Sequence, residues 1–287
     1  MRAVSLHRDV IVVTSALLQV NCVIVRGGGD DTGERVAGGA GASVGAAEGE
    51  VFVIDSPVLP DELDALPALL EQAHFPAPSG LLATHGDWDH LLGRLAFPGL
   101  ALGCCEATAR RLADSIGRTQ RELRAFDEEL MIQRQRPLAL GSVQALPVPG
   151  RCDIGARELE LHEAEGHTPD GMAIAIAWAG VLVLGDYLSP VELPSLDGGG
   201  DLEAYLATLE RLRTAIAGAE HVVPGHGPVL DRDRALVALE DDRAYLLALR
   251  ADGERAELPP DRRSVRDRRT HAQNVAYLQE GASGAGR

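Results

Sequence analysis

Gly80-Leu81-Leu82-Ala83-Thr84-His85-Gly86-Asp87-Trp88-Asp89-His90 is the stretch on which the reading of this chain turns. Its first five residues form a short apolar run, the pattern of a buried strand. That run leads straight into His85, Asp87, Asp89 and His90, four side chains able to ligate a metal within six residues. Open α/β sheets place their sites in loops at the carboxyl ends of strands. Imidazole and carboxylate together suit Zn, Fe or Mn. The same residues would also suit a solvated acidic turn, so the rest of the chain has to decide.

Upstream, Val10 to Val13 and Leu17 to Val25 read as two opening strands. Gly27 to Gly49 holds nine glycines in 23 residues and reads as a flexible excursion, with room for a short strand near Glu34 to Val36. Val51-Phe52-Val53-Ile54-Asp55 is a buried strand stopped by Ser56-Pro57. A helix opens at Pro60-Asp61, with Leu63, Leu66, Leu69 and Leu70 on one stripe. Strand, helix, strand is α/β order. Downstream, residues 105 to 133 read as mostly helical, with Thr119 and Glu122 as a capping box. Residues 137 to 163 read as short strands and turns. Met172 to Trp178 and Val181 to Leu184 form a hairpin about Ala179-Gly180, and Pro190 to Gly200 is a loop. Asp201 to Ala217 is an amphipathic helix, His221 to Pro224 a short strand, and Arg232 to Arg250 a last long helix. The tail is polar, with one periodic piece at Val275 to Leu278.

Composition excludes several functions. The 287 residues carry a formal charge of -16, and every one of the 27 basic residues is arginine. Without lysine there is no Schiff-base or P-loop amine. An acidic chain is a poor partner for a phosphate backbone, so no nucleic acid is expected. No run of 18 apolar residues spans a membrane, and the start lacks a secretory pattern, so a cytoplasmic protein is expected. Cys22, Cys104, Cys105 and Cys152 have no CxxC spacing and read as buried thiols. No G-x-S-x-G elbow and no strand-borne G-x-G-x-x-G is present.

Three later segments repeat the pattern of the first. Gly166-His167-Thr168-Pro169-Asp170-Gly171 sets a histidine in a glycine-bounded loop. Gly185-Asp186 sets a carboxylate where a buried strand ends. Pro224-Gly225-His226-Gly227-Pro228 sets a histidine in a rigid turn. The order of these segments resembles the metallo-β-lactamase-fold metallohydrolase superfamily, whose first motif is H-x-H-x-D-H. His85, Asp89 and His90 match that motif, and His167, Asp186 and His226 match the later ones. The intervals from His90 onward are 77, 19 and 40 residues, similar to family spacing. The resemblance covers roughly Val10 to Arg250. It implies an αβ/βα four-layer sandwich over residues 1–250, with 251–287 as a C-terminal extension packed partly on it.

The resemblance further implies two divalent metal ions, Zn first, with Fe or Mn as alternatives. His85, Asp87 and His167 would hold one ion, Asp89, His90 and His226 the other, and Asp186 would bridge them. Asp89 would also orient a metal-bound hydroxide or shuttle its proton. Asp87 departs from the family pattern, since it stands where the middle histidine belongs. Three carboxylates against two divalent ions and a hydroxide leave the inner shell about neutral, which would raise the pKa of the nucleophile.

Other candidates take smaller roles. Asp55 is placed to hydrogen-bond a ligating histidine. His221, Trp88 and Tyr187 read as structural, Asp170 as supporting or a turn residue, and His271 as a cap or solvated side chain. The seven arginines from Arg250 to Arg269 are interleaved with five acids and read as a solvated mixed-charge face. The expectation is therefore a hydrolase of the glyoxalase-II-like branch, acting on a small-molecule thioester, ester or lactone. A homodimer is compatible with it. The alternatives are a di-iron redox or oxygen-handling protein and a non-catalytic sensor of metal or ligand.

Overall fold

The computed structural model describes residues 1–28 and 49–284. The strand expected near Glu34 to Val36 lies outside the described residues. Seven strands form one sheet in chain order: β1 (Arg2–His7), β2 (Val10–Thr14), β3 (Asn21–Gly27), β4 (Glu50–Ile54), β5 (Gly80–Leu82), β6 (Leu102–Cys105) and β7 (Val143–Leu146). β1 to β4 pair antiparallel, and β4 to β7 pair parallel. The second sheet holds β8 (Gly150–Ile154), β9 (Arg157–Glu163), β10 (Met172–Ile176), β11 (Val181–Val183), β12 (His221–Val223) and β13 (Leu230–Asp231), in the order β13-β12-β11-β10-β9-β8. Only β11 and β12 run parallel there.

The continuous burial of the early strands follows from a core on each face. On β2 and β3, Val10, Val12, Val23 and Val25 point between the sheets, where they meet Ile154, Leu159, Leu161 and Ile174. Ile11, Val13, Cys22 and Ile24 point the other way, toward Leu63, Leu66 and Leu70 of helix α1 (Pro60–Gln72). Side chains alternate along a strand, so a strand covered on both sides must be apolar at every position. Short α2 (Gly93–Ala96), α3 (Glu106–Asp114) and α4 (Arg118–Leu130) complete the first helical layer. α5 (Leu202–Ala217), α6 (Arg232–Asp252) and α7 (Val265–Gly284) form the opposite one, with Leu209, Leu212, Leu239, Leu246 and Val275 packed on the second sheet. The layers are helix, sheet, sheet, helix, the expected αβ/βα sandwich. Among the described residues no helix is long and apolar enough to cross a membrane.

Several details differ from expectation. β1 is an additional strand. It is exposed over its first four residues at a sheet edge, so it lacks the apolar signature of its neighbours. Leu17 to Val20 is a turn instead of a strand start, with Leu18 and Gln19 at positive φ. Thr119 caps nothing. α4 begins after Gly117, whose φ of 76° suits glycine, and Glu122 pairs with Arg118 at 2.7 Å instead of reaching a backbone amide. α7 is far longer than its periodic piece. Its signal was the pair Ser264 and Asp267, which bond each other's backbone N–H at 2.8 and 3.2 Å. Cys22, Cys104 and Cys105 are buried free thiols, and Cys152 is half-buried.

Candidate metal centre

Parallel strands put the ends of β4, β5 and β6 at one edge of the first sheet, and the ends of β11 and β12 at the facing edge of the second. Residues 184 to 200 follow β11, and the His226 turn follows β12. Here the four predicted segments meet. Three sets of side chains offer donor atoms within 4.8 Å of one another: His85, Asp87 and His167; His85, His90 and Asp186; Asp89, His90 and His226. Asp186 faces both sides. Its Oδ2 lies 3.7 Å from His85 Nε2 and 3.3 Å from His167 Nε2. Its Oδ1 lies 3.1 Å from His90 Nε2 and 3.3 Å from His226 Nε2. Asp87 Oδ2 is 3.6 Å from both His85 Nε2 and His167 Nε2. Asp89 Oδ2 is 3.5 Å from His226 Nε2 and 3.9 Å from His90 Nε2.

Each imidazole is held by its other nitrogen. His90 Nδ1 bonds Asp55 Oδ2 at 3.0 Å, and His85 Nδ1 contacts Thr84 Oγ1 at 3.1 Å. His167 Nδ1 bonds the Ser195 carbonyl, and His226 Nδ1 the Leu18 carbonyl, both at 2.9 Å. Such bonds fix ring orientation and direct Nε2 toward a ligand. The Nε2 atoms of His85, His90 and His167, together with Asp186 Oδ1, are buried with no hydrogen-bond partner in the protein. Buried polar atoms are rarely left unpaired, so a convergent group of them calls for a ligand.

The surrounding backbone is shaped for this purpose. Asp55 ends β4 at φ 55°, a left-handed conformation that Asp tolerates better than most residues. Its carboxylate accepts from Thr84 N and Thr84 Oγ1 at 2.8 Å each, which ties the β4 and β5 ends together. A Cβ on Gly225 would fall 2.1 Å from Asp186 Oδ1, so only glycine lets the His226 turn pass so close to that carboxylate. Asn21 Nδ2 holds the turn through the carbonyls of Pro224 and Gly227, both at 2.8 Å.

Electrostatics point the same way. Burial opposes charge on His90, yet Asp186, Asp55 and Asp89 hold its pKa well above the ordinary histidine value. For His167, burial is likewise outweighed by Asp186 and Asp87. His226 is driven up to about 10, against burial, by Asp186 and Glu192. Burial favours protonation of Asp87 and Asp186, but the surrounding imidazoles keep both well below the usual carboxylate range. The cluster draws in positive charge, which protons or cations can supply.

Arg111, on α3, bears no mark of its role in the sequence. Its Nη2 donates to Asp87 Oδ1 at 2.7 Å and its Nη1 to Asp170 Oδ1 at 2.8 Å. The guanidinium thus lies between two carboxylates and offsets part of their charge. Asp170 is buried and takes part in support, accepting from Gly86 N at 2.9 Å and Thr108 Oγ1 at 2.7 Å. Tyr187 Oη accepts from His167 N at 3.1 Å, fixing that loop. Trp88 packs on Phe126 with ring centroids 4.5 Å apart. His221 begins β12 outside the donor clusters.

The arginine-rich tail is not wholly a solvated face. Arg262 is buried, bonding Asp242 and the carbonyls of Ser189 and Glu192. Arg266 pairs with Glu192 at 2.7 Å, and Glu192 Oε1 lies 3.5 Å from His226 Nδ1. Two carbonyls of the loop after β11 are thus satisfied by one nitrogen of Arg262. His271 is half-buried: Nδ1 contacts Tyr245 Oη at 3.1 Å, and Nε2 contacts the Glu254 carbonyl, in the helical turn that follows α6, at 3.2 Å.

No protein-family model and no curated protein sequence matches the chain. Solved structures do. A metallo-beta-lactamase from Pontibacter korlensis is 17% identical with TM-score 0.55, covering 84% of this chain and 99% of its own. The inverting sec-alkylsulfatase Pisa1 from Pseudomonas sp. is 15% identical with TM-score 0.69. It covers 96% of this chain, which spans 50% of the sulfatase's length. TTHA1623, solved in a di-iron-bound form, is 21% identical with TM-score 0.54, covering 78% of this chain and 96% of its own. The chain has the metallo-β-lactamase fold. Its convergent His and Asp clusters are suited to a binuclear metal site.

Proposed function

We propose that this chain is a cytosolic metal-dependent hydrolase that uses two divalent ions to cleave a thioester, ester or lactone. One observation carries the reading: three buried Nε2 atoms and one buried carboxylate oxygen converge without hydrogen-bond partners, while each ring is tethered through Nδ1. His85, Asp87 and His167 would hold one ion, Asp89, His90 and His226 the other, with Asp186 between them. Such ions supply Lewis-acid polarisation of a carbonyl and acidification of a water. The protein's own part is to hold the donors rigid through Asp55, Thr84, Ser195 and Leu18. We assign Asp89 Oδ2, beside His226 and His90, to orient the attacking water and take its proton. The net charge of -16 disfavours polyanionic substrates, which supports a neutral or weakly charged acyl compound.

The test is elemental analysis of protein purified without added metal, then a panel of thioesters, lactones and phosphodiesters. Two equivalents of metal and acyl hydrolysis abolished by Asp186→Asn are expected. Folded protein that takes up no metal refutes the reading. A second reading, a di-iron redox protein, is favoured by Asp87, which hardens the donor set toward iron. Coloured, iron-loaded protein inert toward every acyl substrate would select it.

A further inference from the structure

Asp87 stands where the family resemblance expects an imidazole, and its carboxylate is divided. Oδ2 faces His85 and His167 at 3.6 Å. Oδ1 is turned away and accepts from Arg111 Nη2 at 2.7 Å. Through Nη1, Arg111 also holds Asp170, whose Oδ2 accepts the N–H of Gly86. Gly86 lies between His85 and Asp87, so the bonds close a ring from Asp87 through Arg111 and Asp170 back to the ligand loop. Thr108, near the start of α3, bonds Asp170 as well, and α3 carries Arg111. A planar guanidinium bridges two carboxylates in fixed geometry, which an ammonium cannot do.

An unrestrained aspartate offers a cation either oxygen, or both at once. Imidazole offers one nitrogen and no charge. We propose, on the metal-centre reading above, that Arg111 is a positioning residue: it limits Asp87 to one donor oxygen and offsets its charge. On this view Asp87 and Arg111 act as a unit that stands in for the missing histidine, and neither works without the other.

Cobalt(II) loading tests this in the full chain, with affinity from chelator competition and coordination from the visible absorption band. Two equivalents are expected for the parent. Arg111→Met should lose roughly 10- to 100-fold in affinity at one of the two ions, the range for residues that orient ligands, the lost orientation outweighing the removal of a nearby positive charge. Its band should weaken as the freed carboxylate raises the coordination number. Arg111→Lys should recover only part of the loss. Asp87→His alone should bind poorly, because it sets an imidazole against Arg111 Nη2, which has lost its acceptor while Asp170 holds the guanidinium in place. Asp87→His with Arg111→Met should bind at least roughly 10-fold tighter than Asp87→His.

Arg111→Met with parental affinity and band overturns the proposal while leaving the metal centre standing. So does a double variant no better than Asp87→His. A parent that binds no cobalt overturns both. If Arg111→Met does not fold, Arg111→Lys against the parent decides the matter: weaker binding at one ion supports the proposal, and parental affinity with a parental band overturns it.

Discussion

Asn274→Leu should weaken the protein and one metal ligand together. Asn274 lies on α7, fully buried. Its Oδ1 accepts from Leu196 N at 2.9 Å, and its Nδ2 donates to the Pro194 carbonyl at 2.8 Å and Tyr245 Oη at 3.1 Å. Between the two gripped residues sits Ser195, whose carbonyl holds His167 Nδ1. Leucine keeps the size but strands a buried N–H and a buried C=O. At about 1–3 kcal/mol per stranded group, the loss is about 4 kcal/mol. With an unfolding entropy of about 2 cal/mol/K per residue, that lowers Tm by about 7 °C.

The loop then holds His167 less firmly, and roughly 10-fold weaker metal binding adds about 1.4 kcal/mol to the loss in the loaded protein. Calorimetry of metal-free and zinc-loaded samples reads both effects. A Tm within about 1 °C of the parent refutes the hydrogen-bond argument. A full loss in the metal-free protein with no extra loss on loading would show that α7 props the loop without orienting His167.

Three further outcomes are expected. Gly225→Ala should abolish binding of both ions, because its Cβ would displace Asp186; Gly218→Ala, which meets nothing nearer than 3.6 Å, is the control, and cobalt stoichiometry distinguishes them. Glu62 is buried, which opposes its ionisation, but bonds from Ser15, Ala16 and Leu59 lower its pKa below 4.5. A depressed acid stabilises the fold above its ordinary pKa and loses that contribution as pH falls through the folded value. Glu62→Gln should therefore flatten the fall of Tm with pH below about 4.5; an unchanged acid limb contradicts this. Burial pushes the Cys104 thiol up to about 12, and Cys22 is raised further for the same reason. At pH 8, iodoacetamide mapped by mass spectrometry should spare both in the native state and label both in guanidinium, where rapid native labelling would contradict the burial argument.

What could be read from the sequence, and what could not, divides along one physical line. The clustered side chains were legible: His85, Asp87, Asp89, His90, His167, Asp186 and His226 are residue types able to ligate a metal, set in loops after strands, and the fold brings them together. Asp55 was legible because ring-orienting carboxylates commonly accompany clustered histidines, and it bonds His90 Nδ1 at 3.0 Å. The supports were not. Leu18 and Ser195 hold two of the four imidazoles through backbone carbonyls, which every residue possesses, so their side chains carry no trace of the role. Arg111 was hidden differently. It is one of 27 arginines, 24 residues from Asp87 and 59 from Asp170, and helical spacing gives it no mark.

The tail misled for a related reason. Alternating Arg and acid looks solvated, yet Arg262 turns inward to carbonyls of the loop after β11, and Arg266, itself exposed, reaches Glu192 on the same loop. The need for these donors is created by the tertiary fold. A buried carbonyl makes the same demand whichever residue bears it, so only the recipient of the bond could have been typed from sequence, and only once the two layers had been brought together. The same reasoning makes Asp87 the informative exception. A half-buried carboxylate draws compensating positive charge from the fold, and in a chain without lysine Arg111 supplies part of it at 2.7 Å.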